Sequence, residues 1–216
     1  MRCTRFAAAT LLLATLFSPA LAGAMDWRTS GHVIYAATDL DSAPVDGSGA
    51  TLHTSSGYGL GIETALVISD QFSVEVGLST AKHDLSTEGG DPSDLNAGSL
   101  WIAPVTLTFK WHIPLYGDFQ PYIGGGAAYA FSFNYNDSAD LLDLGVERIK
   151  LNSEISWVVL AGLDYYYAEQ WYASFDLRWI DSAGEFELQL SDNSVYASPK
   201  IDGHQLLVGL GVGCRF

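Results

Sequence analysis

The chain has 216 residues, of which 48% are hydrophobic and only 16% charged, with 22 glycines and a formal net charge of −15. Charged residues average about 25% in globular proteins, and a chain this rich in Gly, Tyr and Phe has enough apolar surface to fold, which excludes a disordered polypeptide. No apolar run beyond residue 25 reaches the ~18 residues of a spanning helix, so the hydrophobicity is spread in short pieces over one domain.

Residues 1–24 read as a secretory signal. Arg2 and Arg5 form a basic start, residues 7–17 an apolar stretch too short to anchor, and Ala20-Leu21-Ala22 and Ala22-Gly23-Ala24 are small-x-small cleavage sites, so cleavage is expected after Ala22 or Ala24. Residues 25–216 are the expected mature domain. Removing Arg2 and Arg5 leaves 8 basic against 25 acidic residues, a net charge of −17. That charge argues against nucleic acid as a partner.

From Trp27 onward the chain alternates with period two, the sign of a strand with two different faces. The run 27–38 carries Arg28, Ser30 and His32 on its polar face. In 58–66, Tyr58, Leu60, Ile62 and Leu66 oppose Gly59, Gly61, Glu63 and Ala65. In 72–79, Phe72, Val74, Val76 and Leu78 oppose Ser73, Glu75 and Gly77. In 101–112, Trp101, Val105, Leu107, Phe109 and Trp111 oppose Ile102, Thr106, Thr108, Lys110 and His112. The runs 122–133, 155–167, 171–181 and 205–216 repeat the split, the last with Leu206, Val208, Leu210 and Val212 against Gly209, Gly211 and Gly213.

These are eight strands. Connectors at 69–71, 115–118 and 168–170 are tight, whereas 39–54, 84–98, 134–154 and 188–200 are long, polar and acidic. Short connections on one side and long ones on the other predict an all-β, eight-stranded antiparallel up-and-down transmembrane β-barrel with short periplasmic turns and long extracellular loops. A soluble barrel would turn its large apolar face inward. Here the opposite face is too small and glycine-rich to be a soluble exterior, where Gly is penalised. Aromatic residues also cluster at the ends of the apolar face: Phe72, Trp111, Tyr165, Tyr167, Trp171 and Phe216 toward the short turns, Trp101, Phe131, Phe133, Trp157 and Trp179 toward the long loops. Two such girdles bracket an aliphatic band as the two interfaces bracket a bilayer.

The segments Tyr58-Gly59-Leu60-Gly61-Ile62, Pro121-Tyr122-Ile123-Gly124-Gly125-Gly126, Gly162-Leu163-Asp164-Tyr165 and the terminal Gly213-Cys214-Arg215-Phe216 resemble the OmpW/AlkL family of outer-membrane barrels. The resemblance spans the mature chain. It implies an outer-membrane location in a Gram-negative bacterium, contact with outer-membrane lipids, and passage or binding of small hydrophobic molecules through a narrow lumen able to open sideways into the bilayer. It also implies that Phe216 is the mark read by the barrel-assembly machinery. Cys214 stands where the family often has Tyr. Gly77 and Arg178 stand where it carries bulky apolar residues, which moves the expected constriction to Val158, Leu160 and Ile180.

The expected lumen-lining set is therefore Arg28, His32, Glu63, Glu75, Gly77, Lys110, Val158, Leu160, Asp164, Asp176, Arg178 and Arg215. A hairpin centred on Ser69-Asp70 places Glu63 opposite Glu75. Paired carboxylates need a cation between them, and Arg28 and Lys110 on flanking strands are the expected partners, with Asp176 and Arg178 either a further pair or an exposed polar ring. The five histidines lack metal-ligand spacing, and Gly209-x-Gly211-x-Gly213 is followed by no helix, so it is no nucleotide loop. No metal or cofactor is expected. His83, Asp84 and Ser86 form the sole candidate catalytic group. Residues 138–151 read either as a short amphipathic loop helix or as an irregular loop. The leading expectation is a non-enzymatic barrel admitting a small hydrophobic solute; the alternative is a structural or surface-recognition barrel whose lumen is closed by its own charges.

Overall fold

The computed structural model describes residues 26–42, 51–89, 96–136, 146–190, 195–198 and 200–216. The signal segment and its cleavage sites lie outside these residues. Eleven strands form one sheet: β1 (Asp26–Ser42), β2 (Thr51–Thr54), β3 (Gly57–Ser69), β4 (Phe72–Glu88), β5 (Asn96–His112), β6 (Phe119–Asn136), β7 (Val146–Ser153), β8 (Ser156–Tyr166), β9 (Trp171–Leu190), β10 (Val195–Ala197) and β11 (Lys200–Arg215). β2 continues into β3 and β7 into β8, each pair forming one barrel stave, and β10 is a short addition beside β9. Eight antiparallel staves result. β1 closes the circle on β11 without a break from Arg28 opposite Arg215 to Ser42 opposite Ile201, and Trp27 and Phe216 exchange both backbone hydrogen bonds at 2.9 Å. Closure removes the sheet edges that hydrocarbon cannot satisfy.

The alternation sorts as expected. Val33, Leu60, Leu107 and Leu210 are 54–64% exposed on the outer wall, whereas Glu75, Lys110 and Arg178 on the inner face are 3–5% exposed. A water-soluble fold would reverse this order. Girdle residues stack on the outside: Phe72 on Phe109 (centroids 5.3 Å) and Phe119 on Tyr165 (4.8 Å) toward the short turns, Trp101 on Phe133 (6.3 Å) and Trp157 against Trp179 (4.9 Å) toward the other end. Trp111, Tyr167 and Phe216 are exposed and Trp171 half-buried at the short-turn end. Tyr35 and Tyr58, 5.1 Å apart, add an outer-girdle pair that the sequence reading left out.

The long connectors are shorter than expected because the strands run on into them. β1 reaches Ser42, β4 reaches Glu88, β5 begins at Asn96 and β9 reaches Leu190. Within 138–151, residues 146–151 belong to β7, neither helix nor irregular loop; the remainder lies outside the described residues. The cause is a second core beyond the outer girdle, in which Leu52, Leu85, Leu100, Ile102, Ile149, Leu151 and Leu188 bury against one another. One buried apolar residue in every two, diluted by acidic neighbours, still makes a strand.

Placing a charge on the outer wall tests the orientation. Leu210→Arg is expected to cost about 2–4 kcal/mol if it faces mid-bilayer, read as a fall in folding stability by urea titration in lipid vesicles.

Candidate functional site: a charged layer across the barrel

An eight-stranded barrel leaves a narrow interior, and here rings lie across glycines on the neighbouring stave. Tyr122 is register partner to Gly162, Tyr172 to Gly213 and His32 to Gly211. A methyl group at any of these glycines would overlap the ring facing it. Glycine is thus required because an aromatic side chain occupies its place, a pairing that also restores packing at the glycine.

Between these rings sits an ionic layer. Arg178 on β9 donates from Nη2 to Glu63 (2.7 Å) and Glu75 (3.2 Å), from Nε to Asp176 (3.2 Å) and from Nη1 to the Thr106 hydroxyl (3.0 Å). Lys110 Nζ lies 2.5 Å from Glu75 and 3.8 Å from Glu63, and 4.2 Å above the centre of the Tyr122 ring. Tyr122 donates to Asp176 at 2.9 Å, and His32 Nδ1 is 3.6 Å from Glu63. Gly77 lies directly against Arg178 and Thr106, with no room for a side chain. Such a layer holds together only because each buried charge meets opposite charge and hydrogen bonds.

Three expectations are corrected. Glu63 stands opposite Gly77 and Glu75 opposite Ala65, because the turn falls on Asp70-Gln71, later than the expected centre at Ser69-Asp70, with a one-residue register shift between Val67 and Ser69. The carboxylates are staggered and share Arg178 and Lys110. Arg28 is not their partner: Ser30, not Arg28, is level with Glu63, and Arg28 instead donates to Gln120 (2.8 Å) and lies 3.8 Å from Asp164 lower down. Arg178 takes its place from a distant stave. Arg215 also departs from the lumen set. It is the last residue of β11, and its guanidinium turns along the rim to pair with Asp26, half exposed.

Above the ionic layer lies an apolar one. Val158 and Ile180 pack with Ile34, Ala36, Ala81, Ala128 and Leu207, and Leu160, register partner of Arg178, closes against Gly124. Below it a cavity of about 10 Å³, room for about one water molecule, is lined by Arg28, Lys110, His112, Asp164, Tyr172 and Ser174 among others. Tyr122, Thr106 and Gln120 were missed as site residues. The signal for Tyr122 was its bulk on an otherwise Gly/Ala face.

The candidate catalytic group is dispersed: His83 points inward and is buried, whereas Asp84 faces outward beside Lys82 (3.8 Å) and Ser86 shares Asp84's face. Beyond the outer girdle, burial holds the His83 imidazole below its ordinary range. Among the described residues no three His, Cys, Asp or Glu converge on a metal position.

A closed antiparallel barrel with an outward apolar belt and aromatic girdles defines the protein as an outer-membrane β-barrel. A family model described as the OmpW family matches residues 29–216, and the chain belongs to that family. It is similar to the "Uncharacterized outer-membrane protein y4mB" of Sinorhizobium fredii, at 27% identity over 90% of this chain and 82% of the relative. It is also similar to the "Dibenzothiophene metabolism operon protein PahQ" of Pseudomonas aeruginosa, at 23% identity over 78% of this chain and 76% of that one. In structure it matches the outer membrane protein OprG of Pseudomonas aeruginosa with a TM-score of 0.76 and 19% identity, over 89% of this chain and 96% of that one. The protein resides in the outer membrane of a Gram-negative bacterium.

Removing Arg178 leaves three buried carboxylates facing Lys110. Arg178→Met is expected to lose about 3–5 kcal/mol of stability, measured by urea unfolding in vesicles. The double variant Glu63→Gln with Arg178→Met should recover part of that loss, because fewer negative charges are left uncompensated.

Proposed function

We propose that the barrel admits small hydrophobic molecules from outside and releases them sideways into the bilayer, without enzymatic chemistry. One observation carries this reading. Between the two girdles the ladder from β4 to β5 runs from Phe72 opposite Trp111 to Leu78 opposite Val105, then resumes at Ala81 opposite Ile102. Ser79 and Thr80 are left without ladder pairing to Pro104 and Ala103, which face them in turn. The register is the same on both sides, so no residue is inserted; Pro104 simply lacks the N–H the ladder needs.

The position of this seam gives it meaning. Ala81, just above it, belongs to the apolar layer, while Gly77 and Thr106, just below it, touch Arg178. A solute descending through the apolar upper barrel meets a charged floor, and entering that floor would mean stripping water-like partners from ions. Beside the floor is a wall segment of small side chains and incomplete main-chain bonding. The Thr80 carbonyl there overlies Gly59, where a side chain would collide with it. The names of relatives support the solute class: PahQ is named for a dibenzothiophene metabolism operon, and dibenzothiophene is a flat, apolar molecule whose burial is favourable. Lumen roles follow from position. Val158, Leu160 and Ile180 bound the apolar passage, Gly77 gives space to Arg178, and His32, Glu63, Glu75, Lys110, Asp176 and Arg178 form the floor, with Arg28 and Asp164 beneath it. Phe216, exposed at the closing seam, is suited to present the chain end to the barrel-assembly machinery, and the girdle aromatics to contact lipid.

A second reading is favoured by the floor itself: a barrel closed by its charges, structural or recognising partners with its acidic loops. Uptake separates the two. Gram-negative cells lacking this barrel, with and without the expressed protein, are given dibenzothiophene, and initial uptake is measured. Faster uptake with the protein, falling toward the control in Pro104→Ala, is expected. Equal uptake with and without the protein would favour the closed barrel.

A further inference from the structure

We infer that His83 and Thr54 form a hydrogen-bonding station in the apolar upper barrel for a solute carrying one hydroxyl group, a small alcohol or phenol. The inference rests on the uptake reading and names its solute class more closely.

The imidazole of His83 is fully buried, and its Nδ1 lies 2.8 Å from the Ser55 carbonyl oxygen. A carbonyl only accepts, so Nδ1 carries the proton and donates. In the neutral ring Nε2 is then an acceptor. No group among the described residues donates to that Nε2, and the equally buried Thr54 hydroxyl has no partner there either. Thr54 stands opposite Leu85, so His83 is its diagonal neighbour on the same inner face, at the spacing of about 7–8 Å usual for such pairs. Gly57 lies beside the His83 ring edge, and the Lys82 carbonyl leaves no room there for a side chain. The neighbourhood is otherwise greasy, with Leu52, Leu85 and Leu100 in one buried cluster.

Buried polar atoms are rarely left without partners. Two of them, one acceptor and one donor–acceptor, within a hydrophobic enclosure fit a particular ligand chemistry. A hydroxyl donates to His83 Nε2 and accepts from Thr54 Oγ1, while the rest of the molecule lies on leucine. A pure hydrocarbon gains the apolar contact and leaves both atoms unanswered. A site built to bond a hydroxyl discriminates against the analogue lacking it.

The probes are 2-naphthol and naphthalene, which share a ring system and differ by the hydroxyl. With ¹⁵N-histidine-labelled full-length protein in lipid bilayers at mildly alkaline pH, 2-naphthol should move the His83 Nε2 resonance upfield in a saturable way, and naphthalene should leave it in place. In the cellular assay, His83→Phe and Thr54→Val should each lower the 2-naphthol to naphthalene uptake ratio by about three- to tenfold, the worth of one net hydrogen bond. An Nε2 signal unmoved by 2-naphthol, or moved equally by both, overturns the station even if both compounds are taken up. An Nε2 shift with no uptake of either probe above the control retains the station as a binding site and retires the transport reading.

Discussion

Main-chain pairing in hydrocarbon is the constraint from which the rest of the structure follows. A strand in a bilayer has no water for its N–H and C=O groups, so every stave needs a neighbour on both sides and the sheet must close. Closure by β1 on β11, sealed at Trp27 and Phe216, meets that requirement. Within the band between the girdles, one departure from complete pairing lies where Ser79 and Thr80 face Pro104 and Ala103; a second lies at Tyr129 and Ala130, between Ala128 opposite Ser156 and Phe131 opposite Asn152. Proline in a membrane strand removes a donor that nothing else replaces, so its placement beside the boundary of the apolar and ionic layers gives it a structural consequence.

Closing only eight staves makes the interior narrow, and what fills it is decided by pairs of large and small groups. Tyr122, Tyr172 and His32 lie over Gly162, Gly213 and Gly211, and the space left between rings is taken by Arg178 and Lys110 with their carboxylates. Charges placed here gain no free hydration, so their mutual bonds decide whether the layer is tolerable. Bound in this way, the layer behaves as a floor. Above it lie two apolar clusters, one holding Val158 and Ile180 and the other Leu85 and Leu100, and below it a small polar cavity. On the proposed reading, the division of the barrel into an apolar upper part and a charged floor is what would make a lateral route cheaper than an axial one for a hydrophobic solute.

Fold class and orientation were legible because both are period-two properties. Each outward Leu or Val and each inward Gly or charge repeats the same message along a strand, as in Leu206–Leu210 against Gly209–Gly213, and the repetition survives local noise. The ionic layer was legible in membership and not in wiring. Glu63, Glu75, Lys110, Asp176 and Arg178 were all readable as inward, but pairing depends on register, and the turn sits on Asp70-Gln71 with a one-residue shift beside it, neither of which the residue types alone show. The choice of Arg178 over Arg28 is likewise a contact across the barrel, where sequence separation carries no information. The strand extensions beyond the membrane were obscured by acidic residues on their outer faces, and Arg215 was misplaced because strand ends no longer obey the alternation that constrains strand interiors.

The most direct test of lateral release is to lock the seam. Cysteines replacing Ser79 and Pro104, which the common register on both sides of the gap sets across from each other on the inner face, are placed for a disulfide between adjacent strands, and oxidising them would staple β4 to β5 while leaving the axis of the barrel untouched. The account predicts that dibenzothiophene uptake by cells carrying this variant falls to the level of cells without the barrel on oxidation and returns with a reductant. A stapled barrel that takes up dibenzothiophene as fast as its reduced form would contradict it.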